Sequence, residues 1–284
     1  MNNNIDEIIK KLSQSGYTFG NGELTVSEVR QIKQQSKNSR GTYGVNAAIG
    51  TNIFSFIAQN DDIVFQLQSF KDSELDAMIL KYSSQSDRKY IIINSEKPLI
   101  NQIFAAAHEY YHYLYSFTGN TKKSFVCSFN NNDKEEIKAN RFAAEFLLPE
   151  EALKTELEIF EKYQSPFENL PLAKQIAFCF MLVTKYTLPL KAVFYRLKEE
   201  HICGTDFLLE HYNDVKEILA SFTKNSPLLK ELYSKENRYI NEQLYNLVPF
   251  LYNKGRINDS TLNEIILKFN LSENQIKTGL TDDE

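Results

Sequence analysis

The segment LINQIFAAAHEYYHYLYSF, residues 99–117, constrains the fold more than any other stretch. Pro98 precedes it and Gly119-Asn120 follows, the start and stop marks of a helix. Within it His108 and His112 stand four residues apart, one turn above the other, so both imidazoles can point at one position in space. Glu109 is rotated about 100° from His108 and flanks that position. Zinc in a hydrolytic site takes three protein ligands and keeps one place open for water. Such a helix therefore needs a third ligand brought against it from elsewhere, with Glu109 placed as general base for the water. The plain structural alternative is a pair of histidines on a partly buried aromatic helix, beside Tyr110, Tyr111, Tyr113 and Tyr115.

No third histidine follows at HExxHxxGxxH spacing, since His201 and His211 lie far downstream. A carboxylate from a later helix is the remaining choice. The helix expected over 133–147 offers Glu135, Glu136 and Glu145. Glu136 shares a face with Asn140, Ala143 and Leu147, and the alanine would let this helix approach the histidine helix closely. A capping role with Asp133 is an equally good reading of Glu136. Asn140 reads either as a hydrogen-bond partner behind a ligand or as a polar edge residue. Tyr82, Tyr90, Tyr111 and Asn94 are candidates for stabilising an oxyanion, and the sequence does not choose among them.

Around this centre, IVFQL (63–67) and KYIIINS (89–95) read as strands, and 120–132 as a polar loop. KYIIINS suits a buried or an edge strand, and a substrate segment could pair with it by edge addition. IDEIIKKL (5–12), 26–36 and Ile49–Gln59 have helical spacing. Beyond 150 helices are expected at 150–162, 171–186, 189–202, 206–223, 227–253 and 259–268, with a short one after Ser272. The expected organisation is a helical lead over 1–48, a catalytic core over 49–150 and a helical region over 151–284.

The net charge of −5 argues against a protein that grips nucleic acid electrostatically. Residues 205–284 carry 9 Lys and Arg against 13 Asp and Glu, so a helix-turn-helix reading of TLPLKAVFYRL gives way to a packed bundle helix. Cys127, Cys179 and Cys203 are odd in number and show no CxxC spacing, which points to reduced thiols in a cytosol. The start lacks a signal-peptide pattern, and IAFCFMLV (176–183) is too short to span a bilayer. A cytoplasmic, membrane-free protein is expected.

FAAAHEYYHYL, followed by EIKANRFAAEFLLP beginning 24 residues after His112, resembles the ImmA/IrrE family of metallopeptidases. The resemblance covers about 49–150 well and includes KYIIINS and the PLINQ lead. It implies an α+β, mostly helical, gluzincin-like core with a small β-sheet. It also implies that Glu136 joins His108 and His112 on one Zn2+ per chain, with Glu109 as base. The activity implied is a zinc metallo-endopeptidase cleaving a helix-turn-helix transcriptional repressor and so relieving repression. The alternative is a catalytically silent protein-binding regulator with structural zinc. Residues 1–48 match no helix-turn-helix module, so no direct contact with nucleic acid is expected.

Overall fold

The computed structural model describes the backbone of residues 24–41, 44, 47–69, 75–81, 88–116, 124–127, 134–162, 165–202, 205–235, 242–268, 271–274 and 276. The expected helix at 5–12, Tyr82, Asp133 and Cys203 lie outside the described residues. The chain divides into two compact units, Met1–Glu236 and Asn237–Glu284. No single helix among the described residues is long and apolar enough to cross a membrane.

In the first unit, α1 (Val26–Arg40) starts at a capping box, in which Thr25 and Glu28 satisfy each other's backbone N–H groups. It ends at Gly41, whose φ of 54° is open to glycine at little cost. A short helix, α2 (Asn52–Ala58), leads into β1 (Ile63–Gln68). β2 (Ala77–Lys81), β3 (Lys89–Asn94) and β4 (Ser124–Cys127) complete a four-stranded sheet in the order β1-β3-β2-β4. β3 runs parallel to β1, with Ile63 opposite Lys89, and antiparallel to β2, with Ala77 opposite Ile93. β4 pairs antiparallel with β2, Ala77 facing Cys127.

Two expectations are corrected here. KYIIINS is a central strand with neighbours on both sides, so no substrate can add to its edge. Its run of β-branched residues suits that interior place, with Ile91 and Ile93 fully buried. The stretch 120–132 is not all loop, because SFVC forms β4. Its lysine and asparagine flanks hide a short strand whose partner, β2, lies more than forty residues upstream.

α3 (Leu99–Tyr111) packs on the sheet and against α4 (Lys134–Leu147). Ala105, Ala106 and Ala107 on α3 and Ala139, Ala143 and Ala144 on α4 are all buried. Small residues on both faces let two backbones come close, and that closeness brings their polar side chains within reach of one another. α1 lies along the far side of α4, with Ile32, Ser36 and Arg40 buried. Arg40 donates to the carbonyls of Phe146, Gly44 and Ala47, which ties α1 to the end of α4.

The remaining helices of this unit are α5 (Glu150–Lys162), α6 (Leu172–Tyr186), α7 (Leu190–Glu199), α8 (Thr205–Glu210), α9 (Tyr212–Thr223) and α10 (Pro227–Leu232). The stretch read as one helix over 206–223 breaks at His211, which caps α9. The division read near residue 150 is not where the compact unit ends. Leu153, Phe167, Phe178, Leu182 and Phe194 are buried, and the Leu99 N–H donates to the Ser234 carbonyl at 3.0 Å. Each such buried side chain contributes about 1.5–3 kcal/mol from removal of apolar surface.

The second unit contains α11 (Glu242–Asn253) and α12 (Asp259–Lys268) around Val248, Leu262, Ile266, Leu271 and Ile276. The helix expected over 227–253 is thus two helices, α10 and α11, belonging to different units.

Candidate metal centre

The last turn of α3 carries His108 and Glu109, and His112 opens a π-helical turn, His112–Ser116. Glu136 comes from the first turn of α4. All four side chains are buried. His108 Nε2 lies 3.0 Å from one Glu136 oxygen, and His112 Nε2 lies 3.2 Å from the other. The two Nε2 atoms are 3.2 Å apart. One donor atom from each residue lies within 4.8 Å of the other two, so the group could hold a metal ion.

The donor spacing tests that fit. A tetrahedral ion with ligand bonds of about 2.0–2.1 Å holds its ligand atoms about 3.3 Å apart, the edge of the tetrahedron. The two Nε2 atoms, 3.2 Å apart, are close to that edge, and the two Glu136 oxygens lie one against each imidazole, at 3.0 and 3.2 Å. The outer nitrogens agree. His108 Nδ1 lies 2.9 Å from the Asn140 side-chain carbonyl. That oxygen only accepts, so a proton on Nδ1 leaves the Nε2 lone pair for an ion, while without an ion an Nε2–H can donate to Glu136. Glu136 and Asn140 are four apart on α4, so docking this one helix delivers a ligand and the group that orients its partner.

Electrostatics set Glu109 apart. Neither of its carboxylate oxygens has a hydrogen-bond partner among the described residues. Burial, and then the charge of Glu136, push its pKa well above the ordinary carboxylate value. Burial also pushes Glu136 upward, but hydrogen bonding to His108 and His112 overrides it and holds that carboxyl down at about 2. His112 is shifted below the ordinary imidazole value, mainly by burial. A carboxyl that gains a proton readily beside one that stays ionised suits acid–base work.

Of the other expected residues, Tyr111 places its hydroxyl 3.5 Å from Glu135, the neighbour of Glu136, and burial raises its pKa. Asn94 is engaged in the turn after β3, donating to the Leu75 carbonyl and accepting from the Glu96 N–H. Tyr90 sits in β3 opposite Val64 and Leu80. Glu145 lies at the other end of α4, paired with Arg141 and Arg196. One contact has no counterpart in the sequence reading: Ser116 Oγ lies 3.0 Å from His112 Nδ1. The signal was a serine four residues after the second histidine, on the same helix face.

Residues 59–198 match the model of Peptidase_M78, the IrrE N-terminal-like domain. The match contains α3, the π-helical turn, β4 and α4, hence every residue of the centre. The family is one of metallopeptidases, which sets the general class of function. No curated protein matches the chain.

Proposed function

We propose that this protein is a zinc-dependent endopeptidase with His108, His112 and Glu136 as metal ligands and Glu109 as general base. The observation that carries the reading is a buried His–His–Glu set, its donor atoms within 4.8 Å of one another, beside a buried carboxyl whose oxygens have no hydrogen-bond partner among the described residues. A zinc ion bound there supplies Lewis acidity, polarising the scissile carbonyl and easing deprotonation of the attacking water. Glu109 takes the water's proton, and its raised pKa keeps that proton available for the departing amine. Asn140 keeps His108 in the tautomer whose Nε2 carries the lone pair. The surrounding core excludes bulk water and so strengthens each of these interactions.

The substrate we propose is a protein, a helix-turn-helix transcriptional repressor, as the family resemblance implies, with the reaction in the cytoplasm. Among the described residues β4 ends the sheet, and it lies in the chain between the two ligand-bearing helices, so its outer edge, rather than β3, is the strand for a substrate segment. A silent binding protein with structural zinc is the second reading, and it gives no use to Glu109, whose burial without a partner is costly. The experiment is co-expression with a candidate repressor. The enzyme reading expects a cleavage product from the parent and none from Glu109→Gln. Equal products from both would remove Glu109 as the base.

A further inference from the structure

We propose that Ser116 is a positioning residue of the metal centre: its hydroxyl accepts the Nδ1–H of His112 and so aims the Nε2 lone pair at the ion. This rests on the metal-site reading above. An imidazole can ligate through Nε2 only when its proton sits on Nδ1, and an acceptor at Nδ1 selects that tautomer and fixes the ring plane. His108 has Asn140 for this, across the interface with α4. His112 finds Ser116 within its own chain segment, at 3.0 Å, with both residues buried.

The backbone there is unusual in a way that serves the contact. α3 gives way at His112 to a single π-helical turn that ends at Ser116. π-turns have poorer hydrogen-bond geometry than α-helix and persist where the site gains from them. Helical side chains lean toward the N-terminus, so a residue four later reaches back over the histidine. Nor is the turn a frayed end. Tyr115 within it donates to the Gln35 carbonyl at 3.3 Å and shares a 2.9 Å hydrogen bond with Ser39, both on α1. Its ring also packs edge-on against Phe142 of α4, with centroids 5.9 Å apart. The hydroxyl of Ser116 is therefore held at His112 from two sides of the fold.

A serine is a weaker lock than an amide carbonyl, because its oxygen can donate as well as accept. His112 is thus the less firmly fixed of the two imidazoles, and its partner is the more informative to remove.

The test uses the full-length chain, stripped of metal and titrated with Co2+ and Zn2+ against a competing chelator. Ser116→Ala should weaken binding by about 10- to 100-fold, the usual cost of losing a ligand's hydrogen-bond partner, while the thermal midpoint of the metal-free protein stays near the parent's. Ser116→Thr, which keeps the hydroxyl, should restore most of the affinity. In the zinc-loaded protein, two-bond proton–nitrogen spectra should show a His112 Nδ1–H that exchanges slowly in the parent and in Ser116→Thr and faster in Ser116→Ala. Parent-like affinity in Ser116→Ala, equal losses in the Ala and Thr variants, or an Nδ1–H that exchanges at one rate in parent and Ser116→Ala would each overturn the role of Ser116. Failure of the parent itself to bind either ion would instead overturn the site on which the role rests.

Discussion

α4 carries two buried polar clusters, one at each end, and they are built on opposite principles. At its C-terminal end Arg141 meets Glu145 at 2.8 Å, Glu199 at 2.9 Å and Glu200 at 3.4 Å. Arg196, fully buried, meets Glu145, Glu199 and Glu200 at 3.2, 3.3 and 2.8 Å. Lys33 from α1 joins Glu150 and Glu200, and the Glu150 N–H donates to Glu145. Burial pulls the Arg196 pKa down, yet the carboxylates around it carry it above the ordinary value. Every carboxylate in this cluster faces a cation. At the N-terminal end, Glu109 and Glu136 make no ion pair with any described lysine or arginine, and Glu136 faces two imidazoles instead. Buried charge costs several kcal/mol unless it is paired. The first cluster meets that cost within the chain and binds α1, α4, α5 and α7 together. In the second, Glu136 has only the two imidazoles and Glu109 no partner among the described residues, so a bound cation would offset the cost there, as the proposed metal site requires.

Removing a member of each cluster should therefore do different things. Arg196→Ala leaves Glu145, Glu199 and Glu200 to Arg141 and Lys33 alone, an excess of buried negative charge, and about 3–5 kcal/mol of stability should go, read as a fall in urea midpoint. Metal bound per folded molecule should hold. A loss below about 1 kcal/mol would mean that water already enters the cluster. Glu109→Gln should cut peptide cleavage by about 10²-fold or more, about 2.7 kcal/mol in the barrier, with metal retained. It should also stabilise the metal-free protein at neutral pH. A carboxyl whose folded pKa is raised above the ordinary 4.5 costs stability progressively as pH rises through that range, and the amide escapes the cost. A destabilised Glu109→Gln variant would contradict the idea that this carboxyl is held at the expense of the fold.

In that same Glu109→Gln background, the pH dependence of the metal-free protein isolates the other groups. His112 is depressed below 6.5, so the unfolded chain protonates first and stability should begin to fall as pH drops below about 6.5. Glu136, held at about 2 against an ordinary 4.5, adds a second loss as pH falls from about 4.5 toward 2. A urea midpoint that rises between pH 6.5 and 5 would sink this assignment. The smallest effect belongs to the surface. Lys37 and Glu151 pair at 3.3 Å but are both exposed, so Lys37→Ala should cost under about 1 kcal/mol. A larger cost would show that pairing itself, rather than burial, separates the clusters.

What the sequence made legible follows from distance along the chain. His108, Glu109 and His112 are placed by one helix, and four-residue spacing alone brings the imidazoles together. Glu136 and Asn140 were legible as one face of a second helix, but spacing could not separate a ligand from a cap, and the resemblance decided. Ser116 escaped because its contact depends on a π-turn, which no hydrophobic period announces. β3 was legible as a strand and illegible as a central one, since its parallel partner β1 is joined through a crossover that holds β2. α1 reads as a polar lead because few of its residues are apolar. Its buried face joins Ile32 to two polar residues, Ser36 and Arg40, and the Arg40 guanidinium donates to the carbonyls of Phe146 on α4, Gly44 and Ala47. The boundary at 236 was hidden by a helical pattern that continues across it.

The most direct test is the metal content of the purified chain, measured by elemental analysis beside a His108→Ala, His112→Ala double variant and Glu136→Gln. About one zinc, or a divalent ion exchanged for it, is expected per parent chain, with near-complete loss in the double variant and weakened retention in Glu136→Gln. A parent without bound metal that takes none up on titration, or a double variant that holds as much as the parent, would contradict the placement of the ion at His108, His112 and Glu136.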